Sequence, residues 1–502
     1  MNRKQLSLIM LALVILLTGA SAQTDGNGQV QLESELPLRT FAWGCGEPFI
    51  HEDQVCFLGN SITKGGLYGS YIELFYATRY PGRSPRFFNA GVGGDRASKI
   101  WAARSFRLQT DVLDRHPTAV VLMLGMNDVE RSLYGDAAGS EELESKRRAA
   151  LDLYAASMTN ILNTLQAEGC KITLVTPSLY DQTAVLERPA PLIGVDDALG
   201  HCADLMRQWQ RTYHTGLVDA HGAMNRINCV RQRYEPSYSI IGAGQNWNDR
   251  VHPGPVGSFV VAYTFLRAQG VDGLVSYIDL DAAVCQPGNQ TRKARLGPIT
   301  CSAGSLEFEV LEGSLPMVVP PQVEPALKLV AFTDELNRQI LRVTNLPSDQ
   351  YLVSVDAKEI GSFSAEELLQ GINLASQPNM PQFQQALAVS AINEALRAAR
   401  ELSREVTTLR YGMANSGEDW RDPGAYARKV TVMLNKALET GSVPAWIEAQ
   451  SREVTEPGAL DREIAEMEKR LSEACRPVPH RYLITPDHSR KAPSANMERL
   501  VK

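Results

Sequence analysis

Four short segments, far apart in the chain, hold residue types that could together support ester hydrolysis. They are Gly59-Asn60-Ser61-Ile62-Thr63, Gly93-Gly94-Asp95, Gly125-Met126-Asn127-Asp128 and Asp249-Arg250-Val251-His252-Pro253. Cleaving an ester near neutral pH takes an activated hydroxyl, a base for its proton and donors for the oxyanion. Ser61 offers the hydroxyl in a turn opened by Gly59, although a lone Gly-x-Ser is more often a helix-capping serine. His252 follows Asp249 by three residues. In a turn, that spacing lets the carboxylate hold one ring nitrogen while the other faces the nucleophile. The backbone N–H groups of Ser61 and Gly94 and the side-chain amide of Asn127 would receive the oxyanion. One such donor is worth about a hundred- to a thousandfold in rate.

Neighbouring residues are weighed the same way. Gly91, Gly93 and Gly94 read alone are an ordinary glycine-rich turn, with neither P-loop lysine nor dinucleotide-fingerprint spacing. Asp95 and Asp128 have no histidine three residues on and read as loop-capping carboxylates. Tyr180, Asp181, Trp247 and Asn248 are expected to rim the pocket, because aromatic rings beside amides suit stacking on a sugar. No residue pattern calls for a cofactor, and no Cys/His spacing calls for zinc.

The elements that must position these segments are strands and helices in alternation. Apolar runs at 55–58, 119–124, 172–175 and 217–218 lack polar alternation, as strands do when helices cover both faces of a parallel sheet. Ala150, Leu153, Tyr154, Ser157, Met158, Ile161 and Leu165 form a helical stripe. A further helix follows Pro253. This alternation predicts a doubly wound α/β domain over 52–275, with ligands beyond the carboxyl ends of its strands. The remainder divides into an N-terminal arm (23–51), a small β-rich unit (276–375), a helical region (376–484) and a disordered tail (485–502). In the β-rich unit Leu306, Phe308 and Val310 alternate with polar residues. A hairpin turns at Asp356-Ala357-Lys358, and Ser364 with Glu367 forms a capping box. Ala388, Ala391, Ala395, Ala399, Leu402, Val406 and Leu409 form a narrow small-residue stripe that predicts close helix packing. The C-terminal helices are expected to be dispensable for turnover of a small ester unless they cover the cleft.

The four segments closely resemble the conserved blocks of the SGNH hydrolases, also called GDSL-type esterases and lipases. The family's letters fall on Ser61, Gly94, Asn127 and His252, with Asp249 completing a triad. The resemblance spans about 52–270. It implies a three-layer α/β/α flavodoxin-like fold, metal-independent ester hydrolysis and an acyl-serine intermediate. One position departs from the pattern: the family usually carries aspartate before the serine, and this chain has Asn60.

Composition sets the context. The 502 residues exceed one ordinary core. A formal net charge of -7 argues against a nucleic-acid partner. Arg3 and Lys4 precede an apolar run from Leu6 to Leu17 and then Ala20-Ser21-Ala22, the pattern of a secretory signal peptide over 1–22. That predicts a secreted or periplasmic protein with no membrane-spanning segment after cleavage. It also makes the eight cysteines candidates for disulfides, with Cys285–Cys301 and Cys202–Cys229 favoured by proximity and buried free thiols the rival reading. The leading expectation is a carbohydrate O-acetylesterase acting on a small-molecule or polysaccharide ester. Alternatives are a lysophospholipase or short-chain lipid esterase, an acyltransferase, and a catalytically impaired carbohydrate-binding scaffold.

Overall fold

The computed structural model describes residues 36–39, 41–135, 140–243, 245 and 248–488. The main sheet has six strands: β1 (Gly44–Cys45), β2 (Gln54–Gly59), β3 (Arg86–Gly91), β4 (Ala119–Met123), β5 (Lys171–Val175) and β6 (Gly216–Val218). Their order is β1-β6-β5-β4-β2-β3. All pairs from β3 to β6 are parallel, and β1 adds an antiparallel edge. With that edge set aside, the order is the flavodoxin-like 2-1-3-4-5. Val55 to Leu58 and Ala119 to Met123 are buried along their whole length, which explains their unbroken apolar runs.

Seven helices accompany this sheet: α1 (Ser61–Lys64), α2 (Leu67–Arg79), α3 (Ala97–Ala102), α4 (Glu141–Ala167), α5 (Val195–Tyr213), α6 (Ala220–Gln232) and α7 (Pro255–Gln269). Right-handed crossovers send α2 to one face and α4 and α5 to the other, because the chain moves in opposite directions from β2 to β3 and from β4 to β6. Tyr154, Ser157, Met158, Ile161 and Leu165 of α4 are buried as expected, whereas Leu153 is exposed. Strand order reverses between β2 and β4, so the turns after these strands open the crevice where ligands bind in such sheets.

The following unit runs from β7 (Leu274–Asp281) through β8 (Gln286–Pro287), β9 (Ala294–Leu296), β10 (Thr300–Ser302), β11 (Ser305–Glu312), α8 (Phe332–Leu336) and β12 (Arg338–Thr344). It ends in the hairpin β13 (Gln350–Val355) and β14 (Lys358–Ser364), α9 (Ala365–Gln370) and β15 (Ile372–Asn373). Asp356 and Ala357 both stand at positive φ, 47° and 62°, as a tight hairpin turn requires. The Ser364–Glu367 capping box forms. Cys285 and Cys301 are bonded.

The helices α10 (Pro381–Asn415), α11 (Pro423–Glu439), α12 (Ala445–Thr455) and α13 (Ala459–Ala474) follow. None among the described residues is long and apolar enough to cross a membrane.

Several expectations are corrected. The 376–484 span is not wholly helical, and the expected tail does not begin at 485, because β16 (His480–Pro486) inserts between β11 and β13. His480, Tyr482 and Ile484 alternate inward on it. Of the expected stripe on α10, Ala399 and Val406 are buried, whereas Ala388, Ala391 and Ala395 face solvent and Val389, Ser390, Asn393 and Leu396 carry the buried face there. Apolar packing by Ala386, Val389 and Leu396 and polar contacts such as Asn393 to the Ser70 carbonyl together dock this helix. Cys202 and Cys229 do not pair: Cys202 faces the core from α5 while Cys229 is exposed on α6, so their side chains point apart. The main core also does not stop at 275. It takes in Leu315, Val323, Phe332, Val389, Leu396 and Leu471. The expected signal peptide over 1–22 and residues 489–502 lie outside the described residues.

Candidate active site

Ser61 is the first residue of α1, directly beyond the end of β2. Asn60 caps that helix, its Oδ1 accepting from the Ile62 N–H at 3.0 Å, and it is 2% exposed. A carboxamide is as good a cap as a carboxylate, so the residue that departs from the family pattern performs the turn-holding role. Gly91 is obligatory here, since a Cβ on it would lie 2.2 Å from the Lys64 N. Asn89 of β3 clamps the other end of α1, donating to the Thr63 and Lys64 carbonyls at 2.6 and 3.2 Å.

The second group comes from the turn between α6 and α7. His252 Nε2 lies 2.7 Å from Ser61 Oγ, and His252 Nδ1 lies 2.5 Å from Asp249 Oδ2. The other Asp249 oxygen accepts the backbone N–H groups of Val251 and His252, each at 2.9 Å. Burial pushes the Asp249 carboxyl up, but the His252 ring and these N–H groups outweigh it and hold the carboxyl at about 2. The carboxylate is therefore ionised at any working pH. An arrangement of this kind can fix the imidazole tautomer and pass a proton from hydroxyl to ring.

Gly94 and Asn127 complete the constellation. Gly94 stands at φ 74°, with nothing within 4 Å of where a Cβ would lie, so the space beside it is open to a substrate. The Asn127 amide is fixed at two of its atoms. Its Nδ2 donates to the Asp95 carbonyl at 3.0 Å, and its Oδ1 accepts from Arg131 Nη1 at 3.2 Å. The second N–H of that amide is left for a ligand. Asp128 behaves as the expected loop-capping carboxylate, taking the Ala97 and Gly125 N–H groups at 2.7 and 3.0 Å. Burial outweighs these donors and raises its carboxyl to about 6.

The four segments thus converge, and they belong with one family. Residues 57–258 match the GDSL-like Lipase/Acylhydrolase family. The α/β domain is an SGNH hydrolase domain. A curated relative, the acetylxylan esterase of Geobacillus stearothermophilus, is 24% identical over 235 residues, which are 44% of this chain and 95% of that protein. Among solved structures, BT4096, described as a gut microbial diltiazem-metabolizing enzyme, is 26% identical with a TM-score of 0.77. The likeness to BT4096 covers 88% of this chain and 100% of that one. It therefore extends past the SGNH domain into the β-rich and helical parts.

Two of the four expected rim residues are buried instead. Tyr180 is 3% exposed, with its ring in the core and its hydroxyl accepting from the Leu192 N–H. Asp181 is fully buried, binding the N–H groups of Thr183 and Ala184 and the Asn228 amide. Asn248 caps its own turn by accepting the Arg250 N–H. Trp247 lies outside the described residues. Sequence reasoning also missed Arg250, which is 1% exposed and stands at φ 65° between Asp249 and His252. Its guanidinium donates to the carbonyls of Pro189, Asp181 and Ala184, anchoring the Asp249–His252 turn from behind. The only sequence signal for it was its position inside the motif.

Proposed function

We propose that this protein is a serine ester hydrolase in which Ser61 is the nucleophile, His252 the proton shuttle and Asp249 the residue that orients it. The carrying observation is the continuous Asp249–His252–Ser61 hydrogen-bond relay at 2.5 and 2.7 Å. In acylation, Ser61 Oγ attacks the ester carbonyl while His252 Nε2 takes its proton. The negative oxygen is received by the N–H groups of Ser61 and Gly94 and the free N–H of Asn127. His252 then protonates the departing alcohol, and water repeats the sequence to release the acid.

The substrate we favour is a small acyl group, acetyl above all, on a carbohydrate. The acetylxylan esterase relative supports this reading. Export to the periplasm or exterior belongs to the same proposal and rests on the 1–22 sequence pattern alone. The likeness to a diltiazem-metabolizing enzyme over most of the chain favours a second reading, in which the carrier of the ester is a small non-carbohydrate molecule. The test is hydrolysis of p-nitrophenyl esters of increasing acyl length, beside acetylated xylo-oligosaccharides, for wild type and Ser61→Ala. The expected result is turnover that falls with acyl length and drops about 10⁶-fold in the variant. Turnover that survives Ser61→Ala would refute the mechanism, and inertness toward the oligosaccharide would shift the substrate to the small-molecule reading.

A further inference from the structure

Asp95 follows Gly94 directly, and its carbonyl receives the Asn127 amide. Both donors that lie outside the serine turn therefore depend on where Asp95 sits. Its carboxylate is 1% exposed and is held by Arg107 through Nε at 2.9 Å and Nη2 at 2.8 Å. Arg107, on the π-helical turn Ser105–Thr110, also donates to the Ala90 carbonyl at 2.7 Å and pairs with Asp111.

Asp111 then takes a second guanidinium from far along the chain. Arg404 of α10 donates to both of its oxygens, at 2.6 and 2.8 Å, and through Nε to the Gly91 carbonyl at 3.1 Å. None of these four side chains is more than 4% exposed. The cluster is neutral, two charges of each sign. Burial pushes the Asp111 carboxyl up, but Arg404 and Arg107 together hold it below the usual range. Tyr411, two turns further along α10, stacks on Phe106 of the same π-helical turn at 5.6 Å.

Burying four charges is costly, and apolar residues of similar volume would commonly be as stable. What ions offer that apolar residues do not is directional geometry. We propose that Arg404 is a positioning residue for the oxyanion donors. It grips Gly91 directly and, through Asp111 and Arg107, fixes Asp95 and with it Gly94 and Asn127. The inference rests on the ester-hydrolysis reading above. It makes the C-terminal helix a working part of a site whose family match ends at residue 258.

Arg404→Lys keeps the charge but cannot fork across both Asp111 oxygens and reach Gly91 as well. Arg404→Gln is the second variant. Each is checked for folding by circular dichroism, its active sites are titrated, and p-nitrophenyl acetate turnover is measured per titrated site. We expect kcat to fall about ten- to a hundredfold with KM nearly unchanged. A boronic acid that forms a tetrahedral adduct on Ser61 should bind more weakly in proportion. The loss should shrink in an Asn127→Ala background, since the effect acts partly through that amide. Folded variants with wild-type kcat per site would overturn the proposal. So would losses fully additive with Asn127→Ala, or failure of both variants to fold, which would make Arg404 a stability element. If the wild type itself lacks Ser61-dependent turnover, the ester-hydrolysis reading fails and takes this inference with it.

Discussion

At the scale of single residues, Asn60 and Asp249 show how hydrogen bonds and charge divide the work. Asn60 supplies a cap oxygen to Ile62 N–H, and aspartate would supply the same oxygen plus a charge favourable at a helix N-terminus. Asn60→Asp should therefore preserve or raise kcat and change stability by no more than about 0.5 kcal/mol. A large fall in kcat would mean that the neutral amide is itself required. Asp249 is held at about 2, below the ordinary carboxyl value of 3.8. A depressed carboxyl contributes stability above its unfolded value and loses it as pH falls through the folded one. The stability gap between wild type and Asp249→Asn, read from urea midpoints, should therefore narrow as pH drops from about 4 to about 2. A gap independent of pH would contradict that ionisation. The same variant should lose about 10⁴-fold in kcat at neutral pH, because the imidazole would settle in the wrong tautomer.

At the scale of elements, the contacts of α10 argue against the expectation that the C-terminal helices are dispensable. It touches the Ser61 turn at two further points: Glu405 pairs with Lys64 at 2.6 Å, and Arg397 donates to the Gly65 carbonyl at 3.0 Å. Asn393 reaches the Ser70 carbonyl of α2, and Arg400 pairs with the buried Glu73. Ending the chain at 375 removes all of these and uncovers the core surface that Val389, Leu396 and Leu471 cover. Burying each such side chain is worth about 1.5–3 kcal/mol, against a total stability of about 5–15 kcal/mol for a domain. The 1–375 fragment should therefore be insoluble or unfolded and should lose turnover of p-nitrophenyl acetate. A soluble, active fragment would show that the SGNH domain stands alone.

At the scale of the whole molecule, what was legible follows from what leaves a local trace. Ser61, Gly94, Asn127, Asp249 and His252 stood out because few residue types suit those roles and their spacing lies within short segments. The buried runs Val55–Leu58 and Ala119–Met123 announced a parallel sheet, and the alternation at Leu306, Phe308 and Val310 announced a half-buried strand. The Arg404–Asp111 pair left no trace, since it links residues 293 apart and charged residues read by default as solvated. The first part of the Ala388 stripe misled because small residues suggest close packing, whereas that stretch of α10 packs through Val389, Asn393 and Leu396 on the neighbouring face. Tyr180 and Asp181 looked like rim residues because their types suit sugar binding, yet burial made one a core ring and the other a backbone anchor.

The position of β16 carries one more consequence. It is the central strand between β11 and β13, so the accessory sheet cannot close until residues 313–479 have been made. Until that stretch exists, β11 and β13 wait with open, pairing-competent edges. Such edges invite association with other chains. The nascent protein therefore passes through a vulnerable interval that ends only when β16 emerges, and any stall in synthesis before residue 480 should be punished by aggregation.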